Sequence, residues 1–397
     1  MHTPQLTQTS APLALYLHIP FCSVRCTYCA FNLYTRAEAL IPAYVQALCR
    51  ELEWLGRATT QPVATIYFGG GTPSLLDAAQ VEQILATCRA AFEVAEAAEI
   101  TLEANPESVD ERYLQAARAS GVTRLSIGMQ SAQAEDLRLF ARQHNHQAVQ
   151  AAMSAARRAG FDNVSLDLIY GAPQQTLAAW RASVEAALSL EPDHLSMYAL
   201  ILDPGTSMTR SIDRGWLPRP DDDLAADMYE LADGLVSAAG LAQYEISTWA
   251  RPGAMSQHNL HYWRNLPYLG VGAGAHGYAA GMRYEVVRSL TGYIERATCQ
   301  TGVMLFPLTA TVEHHEAIDS RTAMAEHMIT GLRLIQEGIS VAGFEQRFGV
   351  PVDCIYGDEL CTLIGFGLLE RTGDSIRLTS RARLISNQVF LRFMADT

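Results

Sequence analysis

The chain has 397 residues, 49% of them hydrophobic, so it can bury a large core and is expected to form one large domain and a smaller one. Its formal net charge is −13, with 29 Lys and Arg against 42 Asp and Glu, which argues against nucleic-acid binding because phosphates need clustered basic side chains. No apolar run reaches the roughly twenty residues that a membrane-spanning helix needs, so no transmembrane segment is expected.

Short β-prone runs alternate with longer helical patterns through the first half of the chain. Strands are predicted at residues 13–19, 64–68, 99–103, 123–128, 163–170 and 194–200. Helices between them are predicted at residues 41–55, 78–92, 110–119, 146–159 and 177–188. This alternation is typical of a parallel sheet covered by helices, and its length predicts an α/β fold with an incomplete (β/α)6 barrel.

The alternation ends near residue 205. A helix at 222–238, a strand at 243–248 and a glycine- and aromatic-rich stretch at 258–278 are predicted to follow. Helices at 323–337, 341–348 and 358–369 and a strand at 375–378 indicate a small C-terminal helical, winged-helix-like domain. It has no basic recognition helix, so we expect a lid or interaction role rather than DNA binding. The predicted organisation is listed here in chain order: a flexible tail (1–12), the barrel (13–205), a barrel extension (206–308) and the C-terminal domain (309–397).

Three cysteines follow the first predicted strand at C-x3-C-x2-C spacing, and they are Cys22, Cys26 and Cys29. Three thiolates can hold a [4Fe–4S] cluster and leave one iron without a protein ligand, which is a reaction site rather than a closed electron carrier. A structural zinc ion is the alternative. It would need a fourth ligand at short spacing, and His18 is the nearby candidate.

The other five cysteines are scattered among apolar neighbours, and they are Cys49, Cys88, Cys299, Cys354 and Cys361. No signal peptide pattern opens the chain, so disulfides are not expected. We therefore predict buried thiols in a reducing, cytoplasmic compartment.

Functional-looking residues fall at the carboxyl ends of the predicted strands, where barrel chemistry is found. The run Gly69-Gly70-Gly71-Thr72-Pro73 permits close backbone approach to a ligand, but it lacks the Lys of a nucleotide-binding P-loop. Glu103 and Asp167 lie in apolar strands, where a carboxylate is costly to bury without a partner. Arg142, judged by its position alone, is better explained as a solvated helix residue.

Several segments together resemble the anaerobic coproporphyrinogen-III-oxidase-like radical S-adenosylmethionine (SAM) family. They are residues 16–29, the Gly-Gly-Gly-Thr-Pro turn at 69–73, Leu-Glu-Ala-Asn-Pro at 102–106, Leu-Ser-Ile-Gly-Met-Gln-Ser at 125–131 and Ser-Leu-Asp-Leu-Ile-Tyr-Gly at 165–171. Within this family, the run His258-Asn259-Leu260-His261-Tyr262-Trp263 resembles the H-N-x-x-Y-W signature of the HemW-type haem chaperones. The resemblance covers nearly the whole chain.

The resemblance implies a [4Fe–4S] cluster bound by Cys22, Cys26 and Cys29, with exchangeable SAM beside it. The SAM contacts that it implies are Tyr16, Gly70, Gly71, Thr72, Glu103, Gln130, Arg142, Asp167 and, through the backbone, Ile201. SAM presents an ammonium, a carboxylate and a sulfonium, which suit carboxylate acceptors and an arginine donor. In such proteins, one-electron reduction of the sulfonium yields methionine and a 5′-deoxyadenosyl radical.

The same resemblance bears on the choice between carrier and enzyme. Coproporphyrinogen dehydrogenases of the family have one more Cys two positions beyond the third ligand, and this chain has Phe31 there. The expected function is therefore a haem chaperone that passes haem to an acceptor protein. The alternative is a radical SAM enzyme acting on a porphyrin, either an oxygen-independent coproporphyrinogen III dehydrogenase or a class C methyltransferase. Either function leaves open the identities of the acceptor and the electron donor and the choice between monomer and dimer.

Haem needs an axial ligand and an apolar or aromatic pocket. Groups of these types gather within nineteen residues, and they are His258, His261, Tyr262, Trp263 and His276. Of these, His258, Tyr262 and Trp263 are the predicted haem contacts. The alternative is that the segment only braces a loop against the barrel.

Overall fold

The structure is a computed structural model that describes residues 11–299 and 305–394. Its strands are β1 (Leu13–Ile19), β2 (Phe21–Cys22), β3 (Tyr34–Thr35), β4 (Val63–Gly70), β5 (Val94–Ala104), β6 (Arg124–Gln130), β7 (Val164–Tyr170), β8 (His194–Ala199), β9 (Ala242–Glu245), β10 (Thr248–Ala250), β11 (Tyr268–Val271), β12 (His276–Ala279), β13 (Met282–Val286), β14 (Val312–Ala317), β15 (Ile339–Ser340), β16 (Leu369–Thr372) and β17 (Ser375–Leu378). Its α-helices are α1 (Ile41–Arg57), α2 (Ala78–Ala91), α3 (Glu111–Ala119), α4 (Ala134–Leu139), α5 (His146–Arg158), α6 (Leu177–Leu188), α7 (Ser207–Asp213), α8 (Asp222–Ala238), α9 (Gln257–Trp263), α10 (Leu290–Thr298), α11 (Ser320–Gly331), α12 (Val341–Phe348), α13 (Val352–Gly365) and α14 (Ser386–Phe390).

The main sheet has the order β14-β13-β12-β11-β1-β4-β5-β6-β7-β8-β10-β9. Strands β1, β4, β5, β6, β7 and β8 pair in parallel, as predicted for the barrel. On one edge β11 also pairs in parallel with β1, and antiparallel strands then extend both edges. The predicted α/β fold with an incomplete barrel is confirmed.

The barrel strands form because both of their faces are covered. Strands β1 and β7 are buried at nearly every position, the pattern of parallel strands between helices and a barrel interior. Side chains cap the covering helices: Asp77 accepts a hydrogen bond from the backbone of Gln80, and Asn145 accepts one from Ala148. These caps begin α2 and α5 where the sequence predicts them.

Some predicted boundaries are wrong for identifiable reasons. The strand predicted at 243–248 is two strands, β9 and β10, joined by a turn and paired antiparallel. Helix α11 begins at Ser320 rather than 323 because Asp319 caps it, and it ends at Gly331 rather than 337. Helix α13 begins at Val352, directly after Pro351, rather than at 358.

The C-terminal region has its own small core. Buried residues from Ile318 to Phe393 pack together around α11, α12 and α13. A three-stranded antiparallel sheet of order β15-β17-β16 lies beside them, which matches the helical, winged-helix-like prediction. Strand β14, just before this core, pairs with β13 of the main sheet. The division of the chain at residues 205 and 308 stays a prediction, and most of the predicted tail lies outside the described residues.

The expectation of five buried thiols is wrong for three of them. Cys49 and Cys88 are buried, but Cys299, Cys354 and Cys361 are exposed. The reason for the last two is helical periodicity, since the buried side of α13 consists of Val352, Tyr356, Leu360 and Leu363 and the two cysteines lie off that side. All eight cysteines are free in the structure. Among the described helices, none is both long and apolar enough to cross a membrane.

A buried carboxylate on α1 joins three parts of the fold. Glu51 is 1% exposed and accepts hydrogen bonds from Tyr293 Oη at 2.6 Å, Thr309 Oγ1 at 2.9 Å and the backbone of Gly272 at 3.2 Å. The hydroxyl of Thr311 also donates to it. Burial raises the pKa of Glu51, and these donors counteract the rise. Glu51 thus connects α1 with α10 and with the glycine turn before β12.

We predict that Glu51→Ala lowers the free energy of unfolding by about 3 kcal/mol, because it leaves several buried donors without an acceptor. Denaturant unfolding of the purified protein measures this. The control is Glu53→Ala, an exposed carboxylate on the same helix, which should change stability by less than about 0.5 kcal/mol. Similar small effects for both variants would contradict the structural role of Glu51.

Candidate functional site

A cavity of about 430 Å³ opens at the carboxyl ends of the parallel strands, and we call it the first cavity. Its wall contains most of the predicted site residues. These are Cys22, Cys26, Cys29, Gly70, Gly71, Thr72, Glu103, Gln130, Arg142, Asp167 and Ile201. Residues far apart in sequence meet here because parallel strands deliver their carboxyl ends to the same edge of the sheet.

The three cysteines lie on the segment that follows β1, which we call the cysteine loop: Cys22 ends the short strand β2, and Cys26 and Cys29 follow it. Cys22 is buried, while Cys26 and Cys29 are half-buried. Burial raises the pKa of the Cys22 thiol to about 11, although a hydrogen bond with Thr72 opposes the rise, and burial also raises the pKa of Cys29. Thiols with raised pKa values are protonated at neutral pH and must lose their protons to bind a metal.

The cysteine loop fits an iron–sulfur cluster in its donor set. In residues 11–299 and 305–394, no three His, Cys, Asp or Glu side chains come together as ligands of one metal ion. The thiolates of a [4Fe–4S] cluster bind separate irons, so they surround the cluster without meeting at one point. Three thiols in the wall of one cavity supply these ligands.

An arginine network supports the cysteine loop. Arg142 Nη1 donates to Cys26 Sγ at 3.5 Å, and its Nη2 donates to Asn105 Oδ1 at 2.7 Å and to the Gly128 carbonyl at 3.0 Å. Asn105 in turn donates to Thr72 Oγ1 at 3.2 Å. Arg142 lies outside α4 and is half-buried, so its interpretation as a solvated helix residue is wrong. Asn105 was missed, although it lies in one of the segments that carry the family resemblance.

The glycine turn is fixed against the start of the cysteine loop. Gly71 N donates to the Ile19 carbonyl at 2.9 Å, and Thr72 N donates to the Phe21 carbonyl at 2.7 Å. A Cβ atom on Gly71 would lie 2.6 Å from the Phe21 oxygen, so a side chain does not fit there. The N–H groups of Gly71 and Thr72 are therefore used within the fold and are not available to bind an anionic ligand group.

Two half-buried carboxylates also line the first cavity. Glu103 accepts hydrogen bonds from Tyr67 Oη at 2.7 Å and from Gly70 N at 3.2 Å, and burial raises its pKa to about 7. Asp167 accepts from Ser126 Oγ at 3.0 Å, and burial raises its pKa as well. A cationic ligand would favour the ionised form of both groups.

A buried arginine that the sequence analysis missed lies among these carboxylates. Arg124 is 2% exposed and lines the first cavity from the first position of β6. Burial acts to lower its pKa, but the nearby charge of Glu99 raises the pKa above its usual value. Its own charge lowers the pKa of Glu103 and of Asp167 against the effect of burial. The sequence feature that could have identified Arg124 is a charged residue at the first position of an otherwise apolar strand.

Gln130 reaches the first cavity through an irregular strand end. Its φ is +62°, in the left-handed region that residues with a side chain rarely adopt. The pairing of β6 with β7 also shifts register between Ile127 and Gln130. A bulge of this kind turns a side chain toward a site at the end of a strand. Ile201 is 72% exposed at the rim, in the loop after β8.

Tyr16 is not in the wall of the first cavity. It lines a separate cavity of about 690 Å³, which we call the second cavity. Its hydroxyl lies 3.0 Å from His18 Nδ1, and burial raises its pKa far above the usual value. Tyr16 nevertheless lies close to the first cavity, because its ring stacks on that of Tyr67, with centroids 6.2 Å apart, and Tyr67 donates to Glu103. Its role as a SAM contact stays a prediction. Ala30 and Phe31 line both cavities, so the end of the cysteine loop separates them.

Helix α9 carries the His-Asn-x-x-Tyr-Trp segment and also borders both cavities. The side chain of Glu99 accepts hydrogen bonds from the first backbone N–H groups of α9, on Gln257 and His258, each at 3.0 Å. Asn259 lines the first cavity, while Tyr262 and Trp263 line the second.

The geometry argues against His258 as a ligand of haem iron. Its Nδ1 lies 2.8 Å from Thr65 Oγ1 and its Nε2 lies 2.8 Å from Tyr262 Oη. The side chain is 1% exposed, and burial keeps its pKa well below the usual value. Both nitrogens of this neutral ring have partners, so neither is free for iron. The bracing role considered for this segment fits His258.

Two family models match the chain. The Radical SAM superfamily model matches residues 16–187, and the HemN C-terminal domain model matches residues 318–385. The first match begins within β1, includes the cysteine loop and ends in α6. The second falls within the separate C-terminal core.

Curated proteins match almost the full length. The chain is 38% identical to the heme chaperone HemW of Mycobacterium tuberculosis over 382 residues, which is 95% of this chain and 94% of that protein. It is 35% identical to the heme chaperone HemW of Bacillus subtilis, with 96% of this chain and 99% of that protein covered. The HemW of Escherichia coli is also 35% identical, over 97% of this chain and 99% of its own.

A solved structure has the same fold. The structure of coproporphyrinogen III oxidase (HemN) from Escherichia coli, a radical SAM enzyme, matches with a TM-score of 0.83 and 24% sequence identity. The match covers 98% of this chain and 91% of that chain. At this identity the match shows the fold alone.

Proposed function

The chain belongs to the HemW family of radical SAM proteins, and from this premise we propose that it is a haem chaperone, which binds haem and transfers it to an acceptor protein. The observation that carries the proposal is the near full-length similarity to curated heme chaperones. Because the similarity extends through α9 and the C-terminal core, it includes regions outside the radical SAM model.

We propose that Cys22, Cys26 and Cys29 hold a [4Fe–4S] cluster and that SAM occupies the rest of the first cavity. When bound, this pair supplies one-electron cleavage of the sulfonium. The carbonyl oxygens of the glycine turn would accept hydrogen bonds from the ammonium, and Arg142 would donate to the carboxylate of SAM. The remaining proposed contacts are Glu103, Gln130, Asp167 and Ile201. Tyr16, whose ring stacks on Tyr67 at the boundary with the second cavity, stays among the proposed contacts.

Phe31 supports the carrier over the porphyrin-oxidising alternative. It stands where the coproporphyrinogen dehydrogenases that the chain resembles have an additional Cys. Its ring is 66% exposed and lines both cavities, next to the cysteine loop. A phenyl ring offers apolar surface at this position but no thiol for proton or hydrogen transfer.

The remaining partners follow from the proposed function. A haem acceptor and, if the cluster cycles between oxidation states, an electron donor are required. The free thiols of the cysteine loop support a reducing compartment, which we propose to be the cytoplasm. The state of oligomerisation, monomer or dimer, stays a prediction.

Haemin titration of the anaerobically reconstituted protein tests the proposed function. A chaperone should give a shifted Soret band that saturates at about one haemin per chain. The alternative function, an oxygen-independent coproporphyrinogen III dehydrogenase, predicts that coproporphyrinogen III is decarboxylated with release of 5′-deoxyadenosine. Absence of a Soret shift at stoichiometric haemin, together with this turnover, would show that the chain is an enzyme rather than a carrier.

Cysteine variants separate the cluster from haem. We predict that Cys22→Ala, Cys26→Ala or Cys29→Ala abolishes the iron–sulfur absorbance at about 400 nm but leaves most haem binding intact. The control is Cys361→Ala, an exposed thiol on α13, which should retain both signals. Equal loss of the cluster and of haem in the loop variants would show that the two are not bound independently.

The affinity for SAM should depend on pH through Glu103. Its pKa of about 7 means that the carboxyl is mostly protonated at pH 6 and mostly ionised at pH 8, and the cationic groups of SAM favour the ionised form. We predict about tenfold tighter binding at pH 8 than at pH 6 in anaerobic calorimetry of the reconstituted protein. Glu103→Gln should bind more weakly and lose this dependence.

The matched control for this titration is Glu96→Gln, an exposed carboxylate on the same strand. It should keep both the affinity and the pH dependence of the unmodified protein. A Glu103→Gln variant that still shows the full pH dependence would assign the titration to another group.

A further inference from the structure

We propose that the second cavity is the haem site and that His276 is the axial ligand of the haem iron. The inference rests on the proposed function, because it specifies where a haem carrier of this fold would hold its cargo. Four independent features of the second cavity carry it: its size and aromatic wall, the availability of one histidine, a guanidinium at the rim, and the apolar residue Phe31.

The second cavity suits a flat aromatic ligand. Its volume of about 690 Å³ lies within the range of sites for small molecules and cofactors, roughly 300–1,000 Å³. Aromatic side chains from several elements form much of its wall, and they are Tyr16, Phe31, Tyr262, Trp263, Tyr268 and Tyr278. Haem pockets combine such apolar surface with a proximal ligand. The first cavity is smaller, at about 430 Å³, and its wall contains the carboxylates of Glu103 and Asp167.

The histidines near the second cavity differ in whether a ring nitrogen is free to bind iron. His18 is 5% exposed, and its two ring nitrogens lie 3.0 Å from Tyr16 Oη and 2.8 Å from the Asn32 carbonyl. His258 is buried with both nitrogens partnered, as described above. These rings would have to break internal hydrogen bonds in order to bind iron.

His261 is also held inside the fold. Its Nε2 lies 2.7 Å from the Pro267 carbonyl, and the residue is 4% exposed. Unlike His18, it is not in the wall of the second cavity. We therefore assign His261, near the end of α9, a role in packing.

His276 has the opposite properties. It begins β12, lines the second cavity and has 55% of its side chain exposed. No hydrogen bond to its ring is present among the described residues. Its Nε2 lies 3.9 Å from Glu285 Oε1, across the β12–β13 pair. A carboxylate beside an imidazole can accept the N–H of one nitrogen and leave the other for a metal, which orients the ring.

The cations at the cavity rim suit the haem propionates. Arg288 has 63% of its side chain exposed, and its one ion-pair contact in the described part of the chain is Glu285, at 3.6 Å. Its backbone carbonyl accepts hydrogen bonds from Asn32 and Tyr34, which fixes its position. Arg283 also lines the cavity, but ion pairs with Glu316 and Glu326 occupy it. Arg288 is thus the side chain free to bind a propionate carboxylate.

Phe31 completes the apolar surface of the site. An aromatic ring that is 66% exposed has lost little contact with water, so packing within the fold does not explain it. A porphyrin plane in the second cavity would cover it. The haem would then lie against Ala30 and Phe31, directly after Cys29, and would contact the cysteine loop without sharing the first cavity.

The test compares haemin binding by the full chain with that of His276→Ala and of a matched control. The control is His315→Ala, an exposed histidine on β14 of the same sheet. We expect His276→Ala to lower haem affinity at least about tenfold and to remove the histidine-ligated signature in magnetic circular dichroism and resonance Raman spectra. His315→Ala should match the unmodified protein.

Imidazole rescue distinguishes ligation from a structural effect. His276→Gly supplemented with free imidazole should recover the histidine-ligated spectrum, which a merely misfolded variant cannot do. Because His276 is exposed, the thermal unfolding midpoints of the haem-free variants should match that of the unmodified protein. Arg288→Glu should weaken binding several-fold and leave the axial-ligand spectrum unchanged.

The outcomes separate this inference from the proposed function. If the unmodified chain binds haemin but His276→Ala keeps its affinity and spectrum, the assignment of His276 is wrong and the chaperone function stands. Strict competition, in which saturating SAM displaces haemin completely, would place haem in the first cavity and would also overturn the inference. If the unmodified chain binds no haemin, the proposed function itself fails.

Discussion

The close approach of the glycine turn to the cysteine loop is the constraint on which the site depends. Strands β1 and β4 are neighbours in register, so the chain leaving β1 passes directly over the turn that ends β4. Two backbone hydrogen bonds and the absence of a side chain at Gly71 hold the two segments together. Cys22 therefore lies beside Thr72, with their side-chain atoms 3.3 Å apart. A cluster and a ligand bound by the turn can then be in contact without any movement of the backbone.

The charged side chains inside the barrel are two carboxylates and one guanidinium that act on one another. Glu103 and Asp167 are half-buried in strands that must be largely apolar to form the core, and removal from water raises the pKa of each. Arg124 lines the same cavity, and its charge lowers both pKa values without forming an ion pair with either carboxylate within the described residues. The carboxylates therefore keep unused acceptor capacity, because a direct salt bridge would have consumed it. An interior of this kind is suited to a ligand that brings its own positive charge.

The sequence alone predicts those features of the fold and the site that depend on local residue pattern. The parallel strands were predictable because each is a continuous apolar run followed by a helical period, and the cysteine loop was predictable because its ligands are close in sequence. Tyr16 shows where this reasoning stops: its strand was predicted, but which cavity it lines depends on the pairing of β1 with β11. The availability of His258 and His276 likewise depends on tertiary hydrogen bonds, since both are histidines in the same short segment.

Helix α9 and Phe31 together form the partition between the two cavities. Asn259 lies in the wall of the first cavity, while Tyr262 and Trp263 lie in the wall of the second, so α9 borders both. The guanidinium of Arg333 packs 4.4 Å from the centre of the Trp263 ring, which ties this partition to the C-terminal core. A shift of Phe31 or of α9 would change the walls of both cavities at once. The partition is therefore the element through which occupancy of one cavity can alter affinity in the other, and such coupling would act equally in both directions.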